Sequence, residues 1–173
     1  MTIGEVKALI RDVPDFPKPG ILFKDITPVL QNGEAYQFLI DQMISAISDM
    51  EFSHVAGIES RGFVFAAPLA YKLGKGFIML RKKGKLPYLK ESECYDLEYG
   101  VDCIEVHVDA VNPGDNVVIV DDVLATGGTA LHAAKLIEKI GGTVSGFLFF
   151  VELEFLKGRE KLKDYNVVSM VRF

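Results

Sequence analysis

Cysteine is scarce in this sequence, long apolar runs are missing and positive charge is not in excess, and each shortage removes a class of function. Only Cys94 and Cys103 are present, with no CxxC partner, so neither a disulfide framework nor a zinc site is expected. Two free thiols without a secretion signal point to a reducing, cytoplasmic setting. The first residues lack the basic-then-apolar pattern of a secretory leader, and no stretch approaches the ~18 apolar residues that cross a bilayer. With 19 Lys and Arg against 24 Asp and Glu the net charge is -5, which argues against a nucleic-acid partner or an anionic membrane surface. Repeats, low-complexity tracts and linkers are also missing. The 173 residues, 49% of them hydrophobic, therefore read as a single domain over 1–173, long enough to bury roughly 70% of its unfolded surface.

Two common nucleotide motifs are absent too. The mononucleotide loop needs a Lys after its last Gly, and none follows Gly128; the Gly-x-Gly-x-x-Gly dinucleotide pattern does not occur. What stands there instead is the run from Val117 to Ala130. Val117 to Val120 is a β-branched apolar stretch, the pattern of a strand buried on both faces. Asp121 and Asp122 sit where that strand is expected to end, and Ala125-Thr126-Gly127-Gly128-Thr129 makes a turn. From Ala130 to Ile140 an Ala/Leu-rich stretch reads as a helix. A turn of exposed amides at a helix start attracts phosphate, and glycine removes the Cβ atoms that would hold a phosphate away. Two adjacent carboxylates repel each other, which a turn serving only to bend the chain has little reason to keep.

Around this run the chain alternates strands and helices. Thr2 and Glu5 form a capping box for a first helix reaching about Arg11, and Pro14, Pro17, Pro19 and Gly20 force an extended, turn-rich segment. Helical spacing covers Gly33 to Met50 and Gly62 to Leu73; strands are expected at Val55 to Glu59, Gly76 to Leu80, Cys103 to Val108, Val144 to Val151 and Val167 to Val171. A short helix is expected over Phe155 to Leu162. Between Lys82 and Gly100 no period survives, which inside a domain marks a functional loop or lid, or else disorder. The whole reads as an α/β fold with a mostly parallel sheet flanked by helices. In such sheets ligands bind beyond the carboxyl ends of the strands. Glu59-Ser60-Arg61, Arg81-Lys82, Asp121-Asp122 and Glu152 all fall at such ends.

The run from Val117 to Ala130 resembles the phosphoribosyl-diphosphate signature of the type I phosphoribosyltransferases. Further blocks narrow the resemblance to the adenine branch of that family: Asp15 to Pro28, Gly57 to Phe63, Arg81 to Pro87, Leu97 to Gly100 and Val151 to Glu160. The resemblance implies a pentosyltransferase that joins adenine to phosphoribosyl diphosphate, giving AMP and diphosphate, with Mg²⁺ carried mainly by the substrate diphosphate and no metal cage of protein ligands. Against that reaction, Ala125 to Thr129 offer backbone donors for the 5'-phosphate, with hydroxyls from Thr126 and Thr129. Asp121 and Asp122 offer acceptors to the ribose hydroxyls and favour a cationic sugar in the transition state. Arg61, Arg81, Lys82 and Lys85 are the cations for the leaving diphosphate. Phe23 is placed to stack on the purine, with Leu22 offering main-chain groups and Leu156 closing the opposite face. Glu98 looks like the family's lid carboxylate, exchanging a proton with the purine, and Tyr99 would orient or shield it. The resemblance also implies a homodimer, for which the 61–73 helix and the 81–87 segment are the expected contacts.

Two other readings stand beside this one. An enzyme for an oxo-purine or a pyrimidine would share the phosphate and ribose machinery, but the Phe16 to Pro28 and Leu97 to Gly100 blocks favour adenine. A ligand-sensing transcription regulator should carry a DNA-binding module and a basic face, and here the sequence pI is about 5.2.

Overall fold

Thr2 begins the first helix as its sequence predicts: its hydroxyl accepts from the Glu5 amide while Glu5 reaches back to the Thr2 amide. The computed structural model describes residues 1–96 and 100–173, in two units, Met1–Ser45 and Ala46–Phe173. In the first, α1 (Ile3–Leu9) leads to an antiparallel pair, β1 (Arg11–Pro14) and β2 (Leu22–Asp25). Asp12 lies opposite Lys24 in that register, and their charges meet at 2.6 Å. Then come α2 (Thr27–Gln31) and α3 (Gly33–Ala46), which buries Ala35, Leu39, Ile40 and Met43 at helical spacing.

The second unit is built on β3 (His54–Ile58), α4 (Phe63–Leu73), β4 (Gly76–Lys82), β5 (Lys90–Asp96), β6 (Val101–His107), β7 (Asn116–Leu124), α5 (Gly128–Lys139) and β8 (Thr143–Glu152). A 3-10 turn (Glu154–Leu156), α6 (Gly158–Lys161) and β9 (Val167–Arg172) complete it. Seven strands form one sheet in the order β5-β6-β4-β3-β7-β8-β9. The five strands from β4 to β9 in that order run parallel, and β6 and β5 are added antiparallel at one edge.

The order carries the functional consequence. From β3 the chain crosses through α4 to β4 on one side, and from β7 it crosses through α5 to β8 on the other. Right-handed crossovers in opposite directions put α4 and α5 on opposite faces and open a crevice between the carboxyl ends of β3 and β7. Alternation along the central strands supplies both faces. Val117, Ile119, Phe147 and Phe149 join the core beneath α5 with Ala133, Ala134 and Ile137, while Phe150 points the other way, its ring 5.6 Å from that of Phe65 on α4. Among the described residues no helix is long and apolar enough to cross a membrane.

Three expectations from the sequence are corrected. The stretch from Lys82 to Gly100 is not patternless throughout, because β5 occupies Lys90–Asp96 and pairs with β6 along its length. Its alternation is hard to see because one face is solvated and the other meets polar groups, so period two is written in Glu and Ser rather than in apolar residues. Cys94 and Cys103 are not free thiols: they are exact register partners on β5 and β6, their Cα atoms 4.1 Å apart, and they form a disulfide. The argument for a reducing compartment from unpaired thiols falls with it. Asp121 and Asp122, expected at the end of a strand, lie inside β7, which continues to Leu124 against β8. On its other side the ladder to β3 stops at Val120. The carboxylates thus stand where β7 keeps one neighbour and loses the other.

Candidate functional site

At the opening between β3 and β7, a cavity of about 370 Å³ is lined by Glu59, Ser60, Arg61, Lys82, Asp121, Asp122 and Thr129, with Ile58 at its base. These residues come from the ends of three strands and the first turn of a helix. The Glu59–Ser60 peptide is cis. Arg61, just beyond β3, brings its Nε to 2.6 Å from Asp122 Oδ2. That carboxylate oxygen is sealed from solvent and takes no hydrogen bond from the described residues, so the contact with Arg61 is one of charge.

Asp121 Oδ1 accepts from the Asp122 amide at 2.9 Å. Burial of its carboxyl, and then the Asp122 carboxylate beside it, push Asp121 well above the ordinary carboxylate range. The two acids therefore differ: one is held against a guanidinium, the other favours its proton.

The cations are organised by carboxylates from neighbouring elements. Glu59 receives Arg81 through both oxygens, at 3.3 and 3.4 Å, and the Lys82 amide at 2.8 Å. Burial acts to raise Glu59, but these donors prevail and hold it below the usual range. Arg81 also donates to the Lys85 carbonyl at 3.2 Å, fixing the turn after β4. Lys82 pairs with Asp102 on β6. Of the four cations named from the sequence, Arg61 and Lys82 line the cavity, whereas Arg81 is bound to Glu59 and Lys85 lies in the adjoining loop.

A second, smaller cavity of about 80 Å³ lies in the turn itself, walled by residues 123–130 with Asp121 and Phe149. Gly127 caps α5 with φ +78°, a conformation that side chains disfavour. The N–H groups of the first turn of a helix have no partner within it, so this turn presents donors to whatever fills the cavity. The segment after β8 braces the turn from behind, at the first residue of α6. A Cβ on Gly127 would meet the Gly158 carbonyl oxygen at 2.4 Å, and one on Gly158 would meet the Ala125 carbonyl oxygen at 2.2 Å. Gly158 is held in turn because Arg159 grips Glu152, the last residue of β8, at 3.0 and 2.6 Å. Burial of Glu152 is outweighed by that guanidinium, which holds its carboxyl low.

The remaining residues named from the sequence lie as follows. Thr126 and Thr129 stand in the turn, and Leu156 sits in the 3-10 turn, partly exposed. Leu22 and Phe23 belong to β2 of the first unit, where the Phe23 ring meets Phe16 edge-on at 5.1 Å. Glu98 and Tyr99 lie outside the described residues. Ser60, named from the sequence at a strand end, does line the cavity, whereas sequence reasoning passed over Gly158 as a brace and Tyr95 and Asp102 behind the cavity. Only the pairing of β5 with β6 would have pointed to the last two, since they face one another in that register.

A family model for the phosphoribosyl transferase domain matches residues 29–172. An adenine phosphoribosyltransferase of Acetivibrio thermocellus is 57% identical over 170 residues, covering 98% of this chain and 99% of the relative. One from Thermoanaerobacter sp. strain X514 is 53% identical over the full length of both chains. The crystal structure of the Thermoanaerobacter pseudethanolicus enzyme of that name superposes with a TM-score of 0.97 at 52% identity, over 99% of this chain and 100% of that one. The Saccharomyces cerevisiae enzyme, complexed with an imino-altritol bisphosphate and adenine, superposes with a TM-score of 0.91 at 40% identity and 97% coverage of each.

Proposed function

The chain belongs to the phosphoribosyltransferase family, and on that premise we propose how its residues carry out the adenine phosphoribosyltransferase reaction, which makes AMP and diphosphate from adenine and phosphoribosyl diphosphate. In that reaction a bond forms between C1' of the ribose and a ring nitrogen of adenine. The C1'–O bond to diphosphate breaks, the leaving group keeps the electron pair, and the ring nitrogen gives up its proton.

The 5'-phosphate enters the turn of Ala125 to Thr129, where amides and the hydroxyls of Thr126 and Thr129 donate to it. The ribose hydroxyls meet Asp121 and Asp122. Arg61 and Lys82 reach the diphosphate, supported by Arg81 and Lys85 through the Glu59 cluster. The observation that carries this arrangement is that Arg61, Lys82, Asp121, Asp122 and Thr129 surround one cavity at the switch point of the sheet. Catalysis then rests on position and charge, with the acids favouring positive charge at C1' as the bond to diphosphate opens.

Mg²⁺ fits this site as a companion of the substrate. Among the described residues no group of three or more His, Cys, Asp or Glu is arranged to hold an ion. A hard cation of this kind takes its ligands from phosphate oxygens and water, which the substrate diphosphate brings with it. Bound there, it would neutralise the departing diphosphate.

The contacts of adenine are assigned to Phe23, Leu22 and Leu156, and Glu98, with Tyr99 beside it, is assigned the exchange of the purine ring proton. We also assign a homodimer, supported by Tyr71 on α4, 90% exposed, and Phe77 and Met79 on β4, which present apolar surface. We also propose a cytoplasmic location, in keeping with a charged sugar-phosphate substrate that does not cross a bilayer unaided. Steady-state kinetics of Glu98→Gln test the assignment at the base. The expected result is a large fall in kcat with an unchanged KM for phosphoribosyl diphosphate; a wild-type kcat removes Glu98 from the mechanism.

A further inference from the structure

Behind the cavity, Tyr95 and Asp102 link two of its lining residues, and nothing in the reaction so far employs them. Lys82 pairs with the Asp102 carboxylate. The Tyr95 hydroxyl lies 3.1 Å from Asp102 Oδ2 and 3.0 Å from Thr129 Oγ1. The link thus joins the side chain at the end of β4 to the side chain at the first turn of α5, passing through the β5–β6 pair. Lys82 and Thr129 are both cavity-lining residues, and they stand at the two ends proposed to receive the diphosphate and the 5'-phosphate.

The protonation of each group follows from its surroundings. Burial acts to raise Asp102, but the Lys82 ammonium holds it below the usual range, so it is ionised and can only accept. Burial raises Tyr95, so the phenol keeps its proton at neutral pH. That single proton lies within reach of both Asp102 and the Thr129 oxygen, which leaves the Thr129 hydroxyl its own proton for the 5'-phosphate. An ammonium carries three donors, so Lys82 keeps two for a ligand while one holds Asp102.

The link is also built to stay in place. Tyr95 is buried, and its ring stacks on that of His132 on α5, centroids 4.9 Å apart and 17° from parallel. Tyr95 and Asp102 are register partners, and the adjacent pair, Cys94 and Cys103, is joined by the disulfide. The Asp102 second oxygen accepts from the Cys103 amide at 2.9 Å.

From this juxtaposition we infer that Tyr95 and Asp102 are positioning residues for phosphoribosyl diphosphate, setting the Lys82 ammonium and the Thr129 hydroxyl in advance for the two phosphate-bearing ends of the sugar. Neither touches the substrate. They act by removing the rotamer freedom of two side chains before binding, which otherwise weakens binding when it is lost on contact. The inference rests on the reading of Lys82 and Thr129 as substrate contacts.

Steady-state kinetics of four single variants and two double variants test it. Tyr95→Phe keeps the ring, its stacking and the net charge, and removes only the hydroxyl. It raises KM for phosphoribosyl diphosphate about fivefold, the loss of one ordinary hydrogen bond, with KM for adenine unchanged. The same substitution in a Thr129→Val background adds nothing, because the bond is already gone. Asp102→Asn likewise raises KM for phosphoribosyl diphosphate, and not in a Lys82→Met background. A purely structural role for Tyr95 would lower Tm and shift both substrates in every background. If Thr129→Val and Lys82→Met raise KM for phosphoribosyl diphosphate while Tyr95→Phe and Asp102→Asn match wild type, the positioning role is overturned and the substrate contacts stand. If Thr129→Val and Lys82→Met themselves match wild type, the contacts are wrong and the positioning role falls with them.

Discussion

Asp121 and Asp122 are adjacent in sequence yet occupy different electrostatic settings, one against a guanidinium and the other set by burial and its neighbour's charge. Arg61 contacts Asp122 at 2.6 Å, while Asp121 is pushed up by burial and by the Asp122 charge. The pair therefore presents two unlike carboxyls to a ribose diol. Replacing both acids with Asn keeps size and hydrogen-bonding capacity but removes the charge that favours a cationic sugar. Turnover should fall by on the order of 100-fold or more, with the circular dichroism spectrum unchanged. Near-normal turnover in that folded variant would show that the acids serve the structure alone.

Among the elements, the turn between β7 and α5 and the segment after β8 form one unit, because backbone meets backbone at Gly127 and Gly158. Gly158→Ala places a methyl group at 2.2 Å from the Ala125 carbonyl oxygen, so the phosphate turn must shift. The expected cost is about 1–3 kcal/mol of stability together with a raised KM for phosphoribosyl diphosphate; a crystal structure of the variant with an unmoved turn would contradict this. The β5–β6 pair is held by the disulfide between residues nine apart. Reduction should lower unfolding free energy by about 2.5 kcal/mol on the loop-entropy model, measured by denaturation with and without dithiothreitol. Most of these elements were legible in the sequence, since β3, β7, β8 and their helices carry strong apolar periods. The carboxylates and the phosphate turn were legible for the same reason, being short polar interruptions in apolar runs. What stayed hidden depends on pairing rather than on local pattern. Cys94 and Cys103 meet only when β5 and β6 are aligned, and Gly158 matters only once it lies behind Gly127, 31 positions earlier in the chain. The extension of β7 past Asp121 comes from β8, which no local signal announces.

For the whole molecule, the ionisable groups around the site make stability depend on acidity in two opposing ways. Glu59, Asp102 and Glu152 are all held below their ordinary values. A depressed carboxyl contributes stability that is present above its unfolded value and lost as pH falls through the folded one. These groups therefore weaken the fold below about pH 4.5, the ordinary glutamate range. Asp121 is raised, so between its unfolded and folded values the native state binds more protons, and stability rises as pH falls. Tm should pass through a maximum on the acid side of neutrality, and Asp121→Asn should remove the rise while leaving the acid loss; a Tm profile of that variant identical to wild type would contradict the assignment. These effects belong to one site set at the crevice where the sheet reverses its strand order, and the most direct test of that site is a crystal structure with phosphoribosyl diphosphate and Mg²⁺ bound. The 5'-phosphate is expected within hydrogen-bonding distance of the amides of Ala125 to Thr129, with the ribose hydroxyls on Asp121 and Asp122 and the diphosphate toward Arg61 and Lys82. A sugar phosphate bound away from the β7–α5 turn, with Asp121 and Asp122 left untouched, would contradict the account.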